Sequence, residues 1–155
     1  MLDSETDTIP NLKLTDGIRK KIQRQWKLKT EQERKLLRDI FPRIDLSKEQ
    51  IEKILAEDRS QNGISADINE IVQNPYFLSE QFVGDNPDDR ISFNKIDHGV
   101  LPSPELGFSP LLEKDDARRF RALCVERLHK EGVHSFVSAE NVLHDVNHKL
   151  SFFPD

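Results

Sequence analysis

The stretch IVQNPYFLSEQFVGDNPDDRISFNKIDHG, residues 71–99, decides the fold that this chain is predicted to adopt. Within it Asn74 is a strong helix N-cap, and Pro75 suits the first helical position, where no amide hydrogen is needed. Aromatic and aliphatic residues follow, and Phe82 comes four residues after Leu78, on the same helical face. We therefore predict a short helix whose apolar face packs on a neighbour and whose cap contributes about 1 kcal/mol.

A second short helix is predicted after a polar turn. Gly84 ends the first helix, residues 85–90 form the turn, and Ser92 caps a helix over residues 93–98. A catalytic loop, a packing motif and a nucleic-acid-binding hairpin could each have this pattern of two short helices and a polar turn.

Helix signals continue on both sides of this hairpin. Thr15 or Asp16 can begin a helix over 17–28, and capping boxes at Thr30 and Ser47 begin helices over 31–41 and 48–57. Two later helices are predicted over 116–131 and, capped by Ser138, over 139–149. Apolar residues at helical spacing are expected to face inward in these four helices: Leu36, Leu37, Ile40, Phe41, Ile51, Ile54, Leu55, Phe120, Leu123, Cys124, Leu128, Val142, Leu143, Val146 and Leu150. The predicted class is mainly α, with at most one short strand, over 133–137.

Composition favours small helical subdomains over one large core. The chain has 155 residues, of which 35% are hydrophobic and 33% are charged. No apolar run approaches the ~18 residues of a membrane span, and the acidic N-terminus does not resemble a secretory signal. Cys124 is the only cysteine, so it cannot form an internal disulfide, and a reducing, cytoplasmic location is expected.

Charge is distributed unevenly along the chain. Residues 11–59 carry fourteen Lys or Arg against nine Asp or Glu, whereas residues 60–116 carry three against eleven. A polyanionic partner should therefore meet the first third of the chain.

The strongest basic signal is the stretch RKKIQRQWKLK, residues 19–29, which has six basic residues, no acid and one tryptophan. Lys and Arg can neutralise phosphates, and an indole ring can stack on a base. The alternative is a solvated basic face with Trp26 in the core. The predicted DNA contacts are Arg19, Lys20, Lys21, Arg24, Trp26 and Lys27.

Signals for catalysis are missing from the sequence. It contains no GxxxxGK[ST] loop, GxSxG, HExxH or CxxC pattern. His144 and His148 are spaced to share a helical face, but further zinc ligands are not evident, and two solvated histidines are the simpler interpretation. We expect no catalytic residue, no metal site and no cofactor in this segment, and we give a standalone enzyme or metal protein the lowest weight of three hypotheses.

In segment order the chain resembles the helix-hairpin-helix region of RecD-family helicases (the RecD/TraA type). The likeness rests on the Asn-Pro-Tyr step in residues 74–80, the Asp-x-Gly turn and proline in 93–102, the Arg-containing helix at 118–123, and Glu-Gly-Val-His at 131–134. It spans roughly residues 17–155. The turn departs from the family pattern, because residues 84–90 keep one glycine and add three aspartates and a proline, which disfavour phosphate contact.

The resemblance implies a non-catalytic DNA-binding or DNA-guiding module of an ATP-dependent DNA helicase or exonuclease V alpha subunit. ATP and Mg would then belong to motor domains of the same parent chain, which would be partners besides DNA; no membrane partner is expected. Composition itself predicts a flexible arm over 1–14 and a Gly- and Pro-rich connector over 100–113. Together with the resemblance, this predicts a helix-hairpin-helix-like region over 15–99 and a helical subdomain over 114–155. Arg118, Arg119 and Arg121 form a second basic group, predicted to hold an interdomain contact or pair with carboxylates. The alternative function is a protein-interaction scaffold that docks motor domains or a partner subunit.

Overall fold

The computed structural model describes residues 15–131 and 138–151, and within these ranges the chain is helical and has no β-strand. The predicted mainly α class is confirmed. The predicted arm over 1–14 and the predicted strand over 133–137 lie outside the described residues. No helix in the described ranges has the length and apolar character that crossing a bilayer would require.

Eight α-helices follow one another in the described ranges. They are α1 (Asp16–Leu28), α2 (Glu31–Lys35), α3 (Lys48–Leu55), α4 (Ile68–Gln73), α5 (Phe77–Gln81), α6 (Phe93–Val100), α7 (Ala117–Glu131) and α8 (Ala139–Ser151). Both predicted capping boxes are present, since Thr30 accepts from the Glu33 amide and Ser47 accepts from the Gln50 amide. These local signals confirm where α2 and α3 begin.

The sequence predicted that Pro42 ends the helix over residues 31–41, but the chain stays helical through this proline. It continues through a π-helical turn, Leu36–Ile40, and then a 3-10 turn, Phe41–Arg43. Proline is tolerated there because the first residues of a helical turn need no internal amide donor. Leu36, Ile40 and Phe41, which these two turns carry, are buried in the core, as the sequence had predicted.

The Asn-Pro-Tyr step forms a capped turn that leads into α5. The Asn74 side-chain oxygen accepts from the Tyr76 amide at 3.3 Å, and the Asn74 carbonyl accepts from the Phe77 amide at 3.2 Å. Regular helix begins at Phe77, two residues later than predicted. Asn74 is buried, so its cap is part of the packed interior.

One hydrophobic cluster includes residues from α3 to α8 and from the turns around them. Its fully buried members include Ile54, Ile71, Phe82 and Ile96, and α7 adds Leu123. The proposed boundary at 100–113 stays a prediction. The Leu111 amide donates to the Val100 carbonyl at 2.8 Å, and the Arg43 guanidinium donates to the Ser109 carbonyl at 2.6 Å, so this connector is hydrogen-bonded to the helical body.

Two apolar residues predicted to face inward are exposed. Leu128 is 54% exposed and Leu143 is 45% exposed. On α8 the buried positions are Val142 and Val146, which lie four residues apart and form a narrower stripe than the sequence had predicted.

A buried polar triad joins the residue that precedes α5 to α6 and α7. The Tyr76 hydroxyl donates to Asp97 Oδ1 at 2.6 Å, and Arg119 donates to both Asp97 oxygens at 2.8 and 3.1 Å. Arg119 also donates to the Lys114 carbonyl at 2.9 Å. The Tyr76 ring stacks on Phe93, with ring centroids 5.6 Å apart. All three triad residues are buried, so this bidentate charged contact is shielded from water.

The triad changes the ionisation of its members. Burial, followed by the hydrogen bond to Asp97 and its negative charge, raises the pKa of Tyr76 well above its usual value. Burial works against the charge on Arg119, but its hydrogen bonds with Asp97 and the attraction of that carboxylate raise its pKa overall. The phenol therefore stays neutral, and the guanidinium stays charged.

Substituting Asp97 by alanine should destabilise the fold by about 3–5 kcal/mol, because it leaves the buried Arg119 charge unpaired. Tyr76→Phe removes one hydrogen bond and should cost about 1–3 kcal/mol. Urea unfolding followed by far-UV circular dichroism measures both. The double variant Asp97→Leu with Arg119→Met removes both charges and should cost less than Asp97→Ala; an equal or larger loss would contradict this account.

Candidate nucleic-acid interface

The predicted DNA-contacting residues all lie on α1, a helix with no buried residue. Arg19, Lys20, Lys21, Arg24 and Lys27 are exposed, while Trp26 is half-buried. The acid within α1 is Asp16, in its first turn, and a basic residue, Lys27, is in the last turn. This charge order suits the helix dipole.

Helical periodicity sorts these cations into two sets. Lys20, Arg24 and Lys27 lie within about 60° of one another around the axis, at ~100° per residue, and we call them the basic face. Ile18, Ile22 and Trp26 follow one another at intervals of four residues, and we call them the apolar stripe. Arg19 and Lys21 lie at the two edges of this stripe.

The apolar stripe is only partly covered. Ile18 is 48% exposed and Ile22 is 41% exposed, and neither belongs to the hydrophobic cluster. Trp26 is half-buried and is not a member of this cluster, so the structure does not place it in the core as the alternative had predicted. Trp26 lies about 100–160° around the helix from the members of the basic face.

The C-terminal end of α1 is fixed to α2 by polar contacts. Arg34 donates to the Trp26 and Lys27 carbonyls, both at 3.1 Å, and so satisfies two carbonyls at the helix end. Lys29 pairs with Glu33 at 3.1 Å. Glu33 also closes the capping box by accepting from the Thr30 amide at 2.7 Å. These contacts hold the end of α1 against the start of α2, and we call this junction the corner between α1 and α2.

In the second basic group, each arginine contacts a carboxylate. Arg118 pairs with Asp116 at 2.7 Å, Arg119 pairs with the buried Asp97, and Arg121 pairs with Glu80 at 3.0 Å. The hydrogen bonds of Arg118 lower the pKa of Asp116 to about 2. Arg118 also donates to the Gln73 carbonyl at the end of α4. These contacts connect the start of α7 with α4, α5 and α6.

The altered turn at residues 84–90 uses its own amides. Asp89 accepts from the Asp85 and Asn86 amides at 3.0 and 2.9 Å, and these bonds lower the pKa of Asp89. Lys53 pairs with Asp85 at 2.5 Å. The amides of Asp85 and Asn86 are therefore occupied by a carboxylate from the same turn.

Gly84 is the residue that permits this turn. Its φ is +71°, and a Cβ placed on it would clash with the Asp89 side chain. Gly84 and the Asp89 carboxylate therefore form a closed turn. The Asp85 and Asn86 amides of this turn donate to Asp89 and are not left open to a phosphate.

Other reactive side chains do not converge. In the described residues no group of three or more His, Cys, Asp or Glu is placed to hold a metal ion. His144 and His148 are exposed on α8. Cys124 is half-buried, and burial raises the pKa of its thiol, as expected for an unreactive cysteine.

A shallow recess of about 340 Å³ lies between α7 and α8, and it did not emerge from the sequence. Its lining residues are Leu123, Glu126, Arg127, Lys130, Asp145, Val146 and Lys149. Arg127 pairs with Asp145 at 2.9 Å and Lys130 pairs with Glu126 at 2.9 Å, so the charges that line the recess largely compensate one another.

The burial of Asp97, Glu80 and Arg119 was not predicted from the sequence either, because a charged residue at helical spacing is ordinarily solvated.

No protein-family model, curated protein or solved structure matches this chain. The RecD-like resemblance therefore stays an expectation drawn from the sequence.

Gly84→Ala should destabilise the fold by about 1–3 kcal/mol, because alanine is strained at positive φ and its methyl group meets Asp89. Gly107 offers a matched control, since it has the same φ of +71° with open space around it. The free energy of unfolding, measured with urea, should fall less in Gly107→Ala, because this substitution adds only backbone strain. Equal losses in the two variants would contradict a steric role for Asp89.

Proposed function

We propose that this chain is a non-catalytic module that holds the backbone of a nucleic acid on the basic face of α1. The observation that carries the proposal is the exposure of Lys20, Arg24 and Lys27 on one side of a helix without buried residues. These side chains can reach a polyanion without any rearrangement of the core. The remainder of the chain supports α1 through the corner formed with α2.

Spacing supports contact with a charged polymer. The three residues of the basic face rise about 10 Å along the helix axis, at 1.5 Å per residue. A rod with closely spaced phosphates can therefore meet all three together. Each contact releases condensed counterions, which makes affinity depend steeply on salt concentration.

The direction of Trp26 favours backbone contact over base stacking. Trp26 belongs to the apolar stripe, on another side of α1 from the basic face, and is half-buried near the corner with α2. A strand held by Lys20, Arg24 and Lys27 would not lie over the indole ring. We therefore expect binding with little sequence preference.

The RecD-like resemblance extends this proposal to a parent protein. In that context the module would guide DNA for ATP-dependent motor domains of the same chain, and ATP and Mg would act there. The closed turn at 84–90 supports a packing role for the hairpin, since the Asp85 and Asn86 amides already have a partner.

A second candidate function is a protein-interaction scaffold. It is favoured by the exposure of the apolar stripe, because Ile18 at 48% exposure and Ile22 at 41% exposure present an apolar surface outside the core. Helices with such a face commonly dock in a partner's groove. The acidic segment over residues 60–116 also favours this function over DNA contact.

The triple variant Lys20→Gln, Arg24→Gln, Lys27→Gln should weaken binding to a fluorescein-labelled 20-base-pair duplex by at least about tenfold at 50 mM salt. The plot of log affinity against log salt should lose about 2–3 units of slope, since each lost phosphate contact removes ~0.9. Fluorescence anisotropy over a salt series measures both quantities.

The matched control is Lys35→Gln, Lys48→Gln, Lys130→Gln, which removes the same charge from exposed lysines on α2, α3 and α7. It should leave the slope nearly unchanged. If both triple variants lose the same affinity and the same slope, the effect comes from net charge, and the proposal of a defined basic face is contradicted. If the unmodified chain neither binds the duplex nor is retained on heparin, the scaffold function is favoured instead.

A further inference from the structure

Glu80 on α5 is a buried carboxylate with only half of its hydrogen-bonding capacity used. Its side chain is 3% exposed, and Oε2 pairs with Arg121 Nη2 at 3.0 Å. The other oxygen, Oε1, is buried and has no hydrogen-bond partner within the described part of the chain. A buried carboxylate oxygen without a donor is costly while the group is charged.

Its partner Arg121 lies at the surface. The Arg121 side chain is 60% exposed, and its guanidinium carbon lies 5.5 Å from the centre of the Phe77 ring. Arg121 is thus held over an aromatic ring of α5 by a carboxylate buried behind it. The contact is one of those that hold α5 against α7.

The charges around Glu80 leave Arg121 as its counterion. On α7, Arg118 is bound to Asp116, and Arg119 is bound to Asp97. On α6, Asp97 is also bound to the Tyr76 hydroxyl. Burial raises the pKa of Glu80, and the positive charge of Arg121 offsets only part of that rise. Proton binding to Glu80 is therefore favoured relative to an exposed glutamate.

We propose that the contact between Glu80 and Arg121 is a proton-controlled latch between α5 and α7. In the charged state, Glu80 fixes Arg121 over Phe77. One proton taken from solvent neutralises the carboxyl group, removes the ionic attraction and frees the exposed guanidinium to move into water. We expect α5 and α7 to stay packed, because Leu78 and Phe82 beside Glu80 are buried in the hydrophobic cluster.

The latch has a defined effect on stability. A carboxyl group whose pKa is higher in the folded state binds protons more tightly there than in the unfolded chain. Proton binding by Glu80 therefore adds to the free energy of unfolding. This addition is fully present below the ordinary glutamate pKa, and it is lost as pH rises through the raised pKa of Glu80 in the folded protein. Relative to Glu80→Gln, the unmodified protein should therefore lose stability as pH rises through that window.

The direct test follows the carboxyl carbon of Glu80 in the ¹³C-labelled full chain by NMR between pH 3.5 and 8. Exposed Glu52, whose carboxylate pairs with Lys48 at the surface, is the internal reference. The Glu80 midpoint should lie above that of Glu52, and the order of the Arg121 side chain, from ¹⁵Nε relaxation, should fall with the Glu80 midpoint as pH is lowered. A Glu80 midpoint at or below that of Glu52 would overturn the proposal.

Two variants separate the latch from general acid effects. In Glu80→Gln the order of Arg121 should become independent of pH, and in Arg121→Gln the Glu80 midpoint should move further up because its counterion is lost. Glu52→Gln is the matched control and should change neither signal. Arg121 order that still follows pH in Glu80→Gln would refute the latch, and the measurement on the unmodified chain stands if a variant fails to fold.

Discussion

Asp97 is the residue on which the arrangement of α5, α6 and α7 depends. Its carboxylate accepts from the Tyr76 hydroxyl and from two guanidinium nitrogens of Arg119, all within the core. A buried charge requires a partner in a fixed position, so the triad also sets the direction from which α7 approaches the hairpin. The apolar residues around it supply most of the burial, but apolar contacts alone are tolerant of sliding. The connector at 100–113 must therefore return the chain so that Arg119 meets Asp97.

α1 contrasts with this fixed centre. It contributes no buried residue and is fixed mainly at its C-terminal end, where Arg34 donates to the Trp26 and Lys27 carbonyls. Its charge therefore does not stabilise the core, and its basic face is open to a polyanion. The separation between basic face and apolar stripe gives one helix two surfaces of different chemistry. The proposed contact with a nucleic-acid backbone would use the first surface, and the alternative scaffold function would use the second.

The candidate site could be predicted in part from the sequence. The density of Lys and Arg in residues 19–29 identified α1 as the basic element, and the periodicity of Ile18 and Ile22 placed them on one face. Exposure could not be predicted, because an amphipathic pattern looks the same whether its apolar face is covered or open. Pairing with carboxylates was one of the two roles predicted for Arg118, Arg119 and Arg121. The identity of the partners could not be predicted, since two of them, Asp97 and Glu80, come from other helices.

What the sequence determined by itself is local. Thr30, Ser47, Ser92 and Ser138 begin helices because a hydroxyl oxygen can satisfy an amide within three residues, a contact that needs no tertiary partner. Only the tertiary structure decided which charged residues are buried, that Leu143 faces solvent, and that Asp89 closes the turn after Gly84. The physical reason is that burial and ion pairing depend on residues far apart in the chain, whose meeting is set by the packing of the helices.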